Sequence, residues 1–513
     1  MSQTAAPAPA PEVADGQAHP LVTAVRLFAS AYKIELILFV TTFVVLSFFS
    51  SQRFLRQSAA PHFVYQAQAL LEGRLDIDPQ VLPNIEDWAC VRDVGGVPTR
   101  CTRPLLPTDK WYSSFPAFPA VVMLPFVAIH GYQFNDTSFG VLWAALAVAL
   151  FYSLVRLVAT QEAMDEDPRE HIALALLLAF GTVFFYCAIR GEVWFSAEVM
   201  GVAFTCLYAR NALRARRPLL AGLFFSMAVM TRTPLLFTGI FFVLEAVAPT
   251  RGKRIEELRA LWKNFSVVGR KLALFAAGAA PIALLAAIFN KVRFGSFTEF
   301  GHLFFYENRV NQDIDTRGLF HLDYLARNLE AAFLKLPRLT TEPSTISYDP
   351  WGLSLLLTLP LLVLVFAPAN KPRAYLMAAG SGLLVLIVSA LFPAEGGATL
   401  GVRSTFVWLA FTAAVFVQAS LWQSDEQPSR LKVPLALTVA GCALPGLFYQ
   451  NTGYAQFGFR FSLDYTAYVL LLFAVSSWSL KQPKVAALAA LGVLVNFWGA
   501  VGFRGYTELV RGW

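Results

Sequence analysis

The sequence predicts an all-α polytopic membrane protein: a helical bundle of about thirteen transmembrane helices, with amphipathic juxtamembrane helices in its first external loop. Three observations carry that expectation. Of 513 residues, 56% are hydrophobic and 15% charged, whereas roughly 25% of a soluble domain is charged. Mean hydropathy is +0.54, and many apolar runs approach the roughly 20 residues that cross a hydrocarbon core as a helix. The excess positive charge, +7 overall, is divided among short loops between those runs, as topology signals are. That distribution argues against a nucleic-acid partner and for a lipid bilayer.

Residues 1–25 open with MSQTAAPAPAPEVADGQAHP, Ala/Pro-rich and without an apolar stretch, and are expected to form a disordered cytoplasmic tail rather than a signal peptide. The expected spans are 35–51, 137–158, 171–189, 194–209, 218–231, 234–248, 272–289, 352–367, 374–393, 404–422, 433–449, 464–479 and 485–501. Basic clusters at Arg26/Lys33, Arg214/Arg216/Arg217, Arg251–Lys271, Lys371/Arg373, Arg430/Lys432 and Lys481/Lys484 then share the cytoplasmic side. They do so if residues 115–130, short and interrupted by Pro116, Pro119 and Pro125, form a re-entrant or interfacial helix that does not cross.

With this orientation, the chain divides into a transmembrane module at 26–350 and C-terminal transmembrane helices at 351–513. The long external loops are 52–136 and 290–351, and nearly every unusual polar cluster lies on their side. An acidic patch at 161–170 is expected to be a solvated cytoplasmic loop. Function is therefore expected outside the cytoplasm, at an inner (cytoplasmic) membrane with the site on its periplasmic face.

Residues 61–79, PHFVYQAQALLEGRLDIDP, place Phe63, Ala67, Leu70, Leu71 and Leu75 at i, i+4, i+7, i+8 and i+12, one face of an amphipathic helix. Cys90 and Cys101 share the first external loop and read as a disulfide in an oxidising compartment. Cys187, Cys206 and Cys442 read as buried thiols. The same loop carries the carboxylates Glu72, Asp76, Asp78, Glu86, Asp87, Asp93 and Asp109, with Lys110 and Tyr112 beside the Pro-rich segment. Asp76-Ile-Asp78 and Asp313-Ile-Asp315 are short patterns that arise easily by chance; each is a candidate for a divalent metal, and no other cofactor is called for.

Glu198 falls within a span, where an ionisable group is costly and a functional candidate by default. Arg460 and Asp464 are spaced i, i+4, which allows a simple helix-surface ion pair. Arg190, Arg232, Arg293, Arg403 and Arg460 come from different loops yet share one depth, beside a large acidic loop; Glu192 lies near Arg190 and Glu299 near Arg293 in sequence. Such convergence suits an anionic head group such as a phosphate, with a nearby carboxylate as base.

Several stretches together resemble the GT-C superfamily of polytopic glycosyltransferases, the group with protein O-mannosyltransferases and lipid A aminoarabinose transferases. They are AQALLEGRLDI after the first span, the Tyr-x-x-x-Pro lead-in YSSFPAFPAVVMLPF, GLFFSMAVMTRTPLLF, KVRFGSFTEFGH and QFGFRFSLD. The resemblance implies a GT-C-like bundle with an external active site. It further implies a polyprenyl-phosphate-linked sugar donor, an extracytoplasmic acceptor (lipid, glycan or protein), and an inverting transfer with a first-loop carboxylate as base. Many relatives carry an acidic residue near the start of the juxtamembrane helix, where this chain has Pro61-His62-Phe63. The base is then expected to be Asp87, with Asp109 and His62 as alternatives. Arg460, Arg232, Arg293, Lys110 and Arg190 are expected to hold the donor phosphate, and Glu192, Glu198 and Asp464 to contact sugar or acceptor. Two other functions fit a polytopic chain: a lipid-linked glycan flippase or transporter, and a non-catalytic envelope assembly subunit.

Overall fold

A computed structural model describes residues 30–83, 87–162, 167–248, 265–341, 344–347, 349–392, 405–426 and 429–511. The predicted tail, Glu86, Arg403 and most of the basic 251–271 segment lie outside the described residues.

The chain is predominantly helical. In order, α1 is Lys33–Ser50, α2 His62–Leu71, α3 Phe118–His130, α4 Asp136–Glu162, α5 Pro168–Phe180, α6 Phe184–Ala188, α7 Val193–Ala212, α8 Pro218–Val229, α9 Gly239–Val247 and α10 Phe265–Phe294. There follow α11 Asn311–Arg317, α12 Tyr324–Leu329, α13 Leu355–Thr358, α14 Ala374–Leu391, α15 Thr405–Gln423, α16 Lys432–Phe448, α17 Leu463–Ala474 and α18 Pro483–Arg511. Among the described residues, six helices are long and apolar enough to cross a membrane: 33–55, 136–162, 266–294, 374–391, 405–423 and 483–503. Several other apolar segments are shorter, including α3, α8 and α16.

Thirteen continuous spans are not what the chain forms, and the differences have identifiable causes. The 171–189 run breaks where α5 ends at Gly181, whose amide bonds back to the Leu177 carbonyl at 2.8 Å, and α6 adds one short turn. The 234–248 run begins as a 3₁₀ turn over Thr233–Thr238 with Pro234 in its first turn. The 352–367 run contains only the four-residue α13 and a 3₁₀ turn that Pro360 opens. The 464–479 run ends as a helix at Ala474. Hydropathy registers transfer out of water, not helix continuity. Leu364, Val365 and Leu470 are fully enclosed by protein, which tolerates irregular backbone that lipid does not.

The core is layered around α4, which packs on α1 and α7, while α7 packs on α8 and α8 on α10. Gly222 and Gly278 set the α8–α10 approach. A Cβ on Gly222 would collide with the Phe275 carbonyl oxygen, and one on Gly278 with the Leu219 carbonyl oxygen. Small residues permit such close backbone contact between membrane helices. Gly222→Leu is expected to force the helices apart and cost about 1–3 kcal/mol, read as a lowered melting temperature in detergent.

The two long loops expected to be external pack together as one roof. Residues 61–79 form a helix only as far as Leu71; Gly73, at φ +73°, turns the chain away. Phe63 and Ala67 are buried as the pattern predicts, but Leu71 faces out. Three strands, unforeseen by the all-α expectation, follow: β1 (Trp88–Val94), β2 (Val97–Arg100) and β3 (Lys110–Ser113), antiparallel in the order β2-β1-β3. A disulfide joins Cys90 to Cys101. A two-stranded ladder, β4 (Arg338–Thr341) with β5 (Ser344–Ser347), lies in the second loop. The loops are cross-tied by Arg100 to Asp315, with two N–O contacts of 2.9 Å, and by the Tyr306 amide to the Trp88 carbonyl at 3.1 Å.

Candidate functional site

Beneath this roof lies a cavity of about 400 Å³, within the range of small-molecule sites. Its floor is the start of α7 with Trp194, the 231–237 segment with Arg232, the end of α16 from Cys442 to Tyr449, and the 459–465 stretch that opens α17. Its roof is Asp87, Phe115 and Pro116 from the first loop, with 298–302, Phe305, Leu319 and Phe320 from the second.

Local chemistry fixes the roof. Gly301 at φ +105° lets the second loop press on the sheet; a Cβ there would sit 3.0 Å from the Ser114 Cα and 3.1 Å from the Ala89 Cβ. The Glu299 Oε1 accepts from the Gly301 amide at 2.6 Å and the Leu303 amide at 3.3 Å, capping the turn that carries His302. Asp87 has φ +71°, a left-handed conformation that Asp adopts more readily than most residues. Its Oδ2 accepts from the Trp194 indole N–H at 2.6 Å, its Oδ1 from the Asn308 amide, and its carbonyl from the Ser114 hydroxyl at 2.5 Å.

Opposite Asp87, two arginines and two carboxylates interlock. Arg232 binds Asp464 bidentately, Nε to Oδ1 at 3.0 Å and Nη2 to Oδ2 at 2.7 Å. Arg460 donates from Nη1 to the Glu198 Oε1 at 3.2 Å and to the Trp194 carbonyl at 3.0 Å, and from Nε to the Gln456 Oε1 at 2.8 Å. Glu198 also lies 3.7 Å from Arg232. The Arg460–Asp464 pair that the i, i+4 spacing allows does not form: Arg460 reaches Glu198 on α7, and Asp464 reaches Arg232 in the segment after α8. The Phe461 ring lies 5.5 Å from the Arg232 guanidinium and 4.9 Å from that of Arg460. Among the described residues, neither Nη1 of Arg232 nor Nη2 of Arg460 has a hydrogen-bond partner, so each guanidinium keeps a spare donor.

His302 lines the same cavity, edge-on to Phe305 at 5.3 Å and Tyr449 at 6.3 Å. Burial pushes its imidazole below the ordinary value, against the pull of Glu299 and Asp87. Away from these polar groups the cavity is apolar, with Leu236, Phe237, Ala443, Pro445 and Gly446 in its wall. Leu236 is 54% exposed, so this arm reaches the outside of the bundle.

Of the predicted site residues, Asp87, Arg232, Arg460 and Asp464 meet in this wall, and Glu198 stands directly behind it. The others are elsewhere. Asp109 is held under the hairpin by Arg92, with two bonds of 2.7 Å, which keep its carboxyl below the usual range; it does not line the cavity. His62 is fully buried and stacked on Trp88 at 4.0 Å. Lys110 is an exposed residue at the start of β3. Arg293 is a buried strut, donating to the Ser113 carbonyl and the Asn290 Oδ1 at 3.0 Å each. Arg190 and Glu192 pair with each other at 2.6 Å, joined by Arg53, and do not line the cavity.

The metal candidates fare similarly. Asp78 accepts from the Gln80 amide, while Asp313 pairs with Arg327 and Asp315 with Arg100. Among the described residues, one group of three could in principle hold an ion, Cys90, Cys101 and Asp109, and its thiols are spent in the disulfide. Asp76 and Asp78 gather no third ligand among the described residues. His302, Asn308, Tyr449 and Asn451 are the lining or supporting groups that sequence reasoning missed. His302 lies three residues past Glu299 in KVRFGSFTEFGH, but a lone histidine in a loop gives no periodic signal. No protein-family model, curated protein or solved structure matches this chain.

Proposed function

We propose that this chain is a membrane glycosyltransferase of GT-C type, which moves a sugar from a polyprenyl-phosphate carrier to an acceptor at the extracytoplasmic face of the cytoplasmic membrane. The observation that carries the reading is the convergence in one cavity of a carboxylate, two arginines with spare donors, and an apolar arm open to the bundle's exterior. A phosphorylated isoprenoid has the matching parts.

In the proposed step, the acceptor hydroxyl or amine attacks the anomeric carbon and its proton passes to the Asp87 carboxylate. The bond from the anomeric carbon to the phosphate oxygen breaks, and its electron pair stays on the phosphate. The spare N–H groups of Arg232 and Arg460 stabilise the charge that develops there, a contribution that is often the largest in such barriers. Trp194 and Asn308 fix the direction in which Asp87 points.

The test is an assay of membranes containing the chain against a panel of radiolabelled polyprenyl-phosphate sugars. Label should appear in an extracytoplasmic acceptor; use of a soluble sugar nucleotide instead would remove the lipid carrier from the scheme. A flippase is favoured by one observation, the broken backbone at 233–238 beside Arg232 in the cavity wall, because transporters place such breaks at their sites. It predicts that the same assay relocates intact donor and forms no glycosidic bond.

A further inference from the structure

Resting on that reading, the geometry of the chamber raises the question of how a further anion is accommodated. Arg232 and Arg460 are already matched by Asp464 and Glu198. Asp87 and Glu299 also line the wall; Asp87 is met by the neutral donors of Trp194 and Asn308, and Glu299 feels the charge of Arg293. A phosphodiester would bring another negative charge into a space too confined for bulk water to screen it. Some cation has to accompany it. The lining carboxylates assemble no three-ligand set among the described residues.

His302 can supply the charge. It is held in the wall by the rings of Phe305 and Tyr449, and neither ring nitrogen bonds to any described residue. The charged and titratable groups around it are Glu299 on its own loop, Asp87 from before β1, Arg232 after α8, Tyr449 after α16, and Arg460 with Asp464 across the chamber. Without an anion beside it, desolvation works against the charged ring; an anion entering beside it favours the charged form.

We propose that the donor phosphate binds together with one proton taken from solvent onto His302, so that this imidazole, and not a divalent cation, provides the extra positive charge the head group needs. The linkage has a definite sign. A ring neutral in the empty chamber and protonated in the complex makes affinity rise as pH falls, by up to about tenfold per unit between the two titrations.

The measurement is isothermal titration of the full chain in nanodiscs with a polyprenyl-phosphate hexose, whose phosphodiester keeps one charge throughout. It is repeated in buffers of different ionisation heat, between about pH 6 and about pH 8, the range in which imidazole titrates. Uptake of close to one proton per donor is expected, unchanged by a chelator, and lost in both His302→Gln and His302→Asn with about tenfold weaker binding at the acidic end. Tight binding with no proton uptake by the wild-type chain, or binding abolished by chelator, overturns the assignment while leaving a lipid-carrier enzyme intact. Absence of donor binding at every pH, with or without added magnesium, sinks both.

Discussion

Asp87→Asn is expected to lower sugar transfer by about 10²–10⁴-fold, the usual loss when a positioned base is removed, while the protein inserts and folds normally. Asparagine keeps the size of the side chain and one carbonyl oxygen to accept from Trp194 or Asn308, so donor binding should be largely retained. The comparison therefore separates turnover from affinity. Equal loss in a variant at Asp109 would point to general damage of the roof, since Asp109 touches Arg92 and the Leu106 amide and not the cavity. Full transfer by the Asp87→Asn variant would remove Asp87 from the chemistry and leave the fold untouched.

The largest effect on stability is expected at Glu198. It is buried between Arg460 at 3.2 Å and Arg232 at 3.7 Å, and Cys187 approaches its other oxygen at 3.6 Å. Glu198→Ala leaves the buried guanidinium of Arg460 and the partly buried one of Arg232 with the one carboxylate of Asp464. Removing one partner of a buried ionic set costs about 3–5 kcal/mol, so the melting temperature in detergent should fall steeply. Replacing Glu198 by Leu and Arg460 by Met together should cost less than Glu198→Ala alone, because no charge is stranded. If the single variant melts like the parent, the four groups are solvated and contribute little to the fold.

The membrane character of the chain was legible because composition acts on every residue at once. The disulfide was also readable, since two cysteines 11 residues apart in one loop have few other uses. Span count was not. Segments such as 352–367 are as apolar as a lipid-facing helix, yet Leu361 and Leu364 are apolar because they sit inside protein. Pro360 and Gly181 interrupt the backbone without changing the hydropathy.

At the site, residue type marked the arginines and carboxylates, but partner choice depended on tertiary distance. Arg460 and Asp464 sit one helical turn apart and nonetheless bind across to Glu198 and Arg232. Asp109 and Arg293 had the right chemistry and the wrong neighbours, being absorbed into the packing of the hairpin and of its contact with α10. His302 and Asn308 carried no local signal, because a loop residue gains its role from what the opposite loop presents to it.

The four-member charge cluster also bears on how the chain is made. Arg460 meets Glu198 across 262 positions of sequence, and Asp464 meets Arg232 across 232. A ribosome therefore delivers one half of the cluster long before the other. Each half is balanced by itself, since Glu198 can face Arg232, and Arg460 can face Asp464 one turn away. Both can enter the bilayer without a stranded charge and exchange partners once the last helices arrive, which makes assembly of the chamber a late event in biosynthesis.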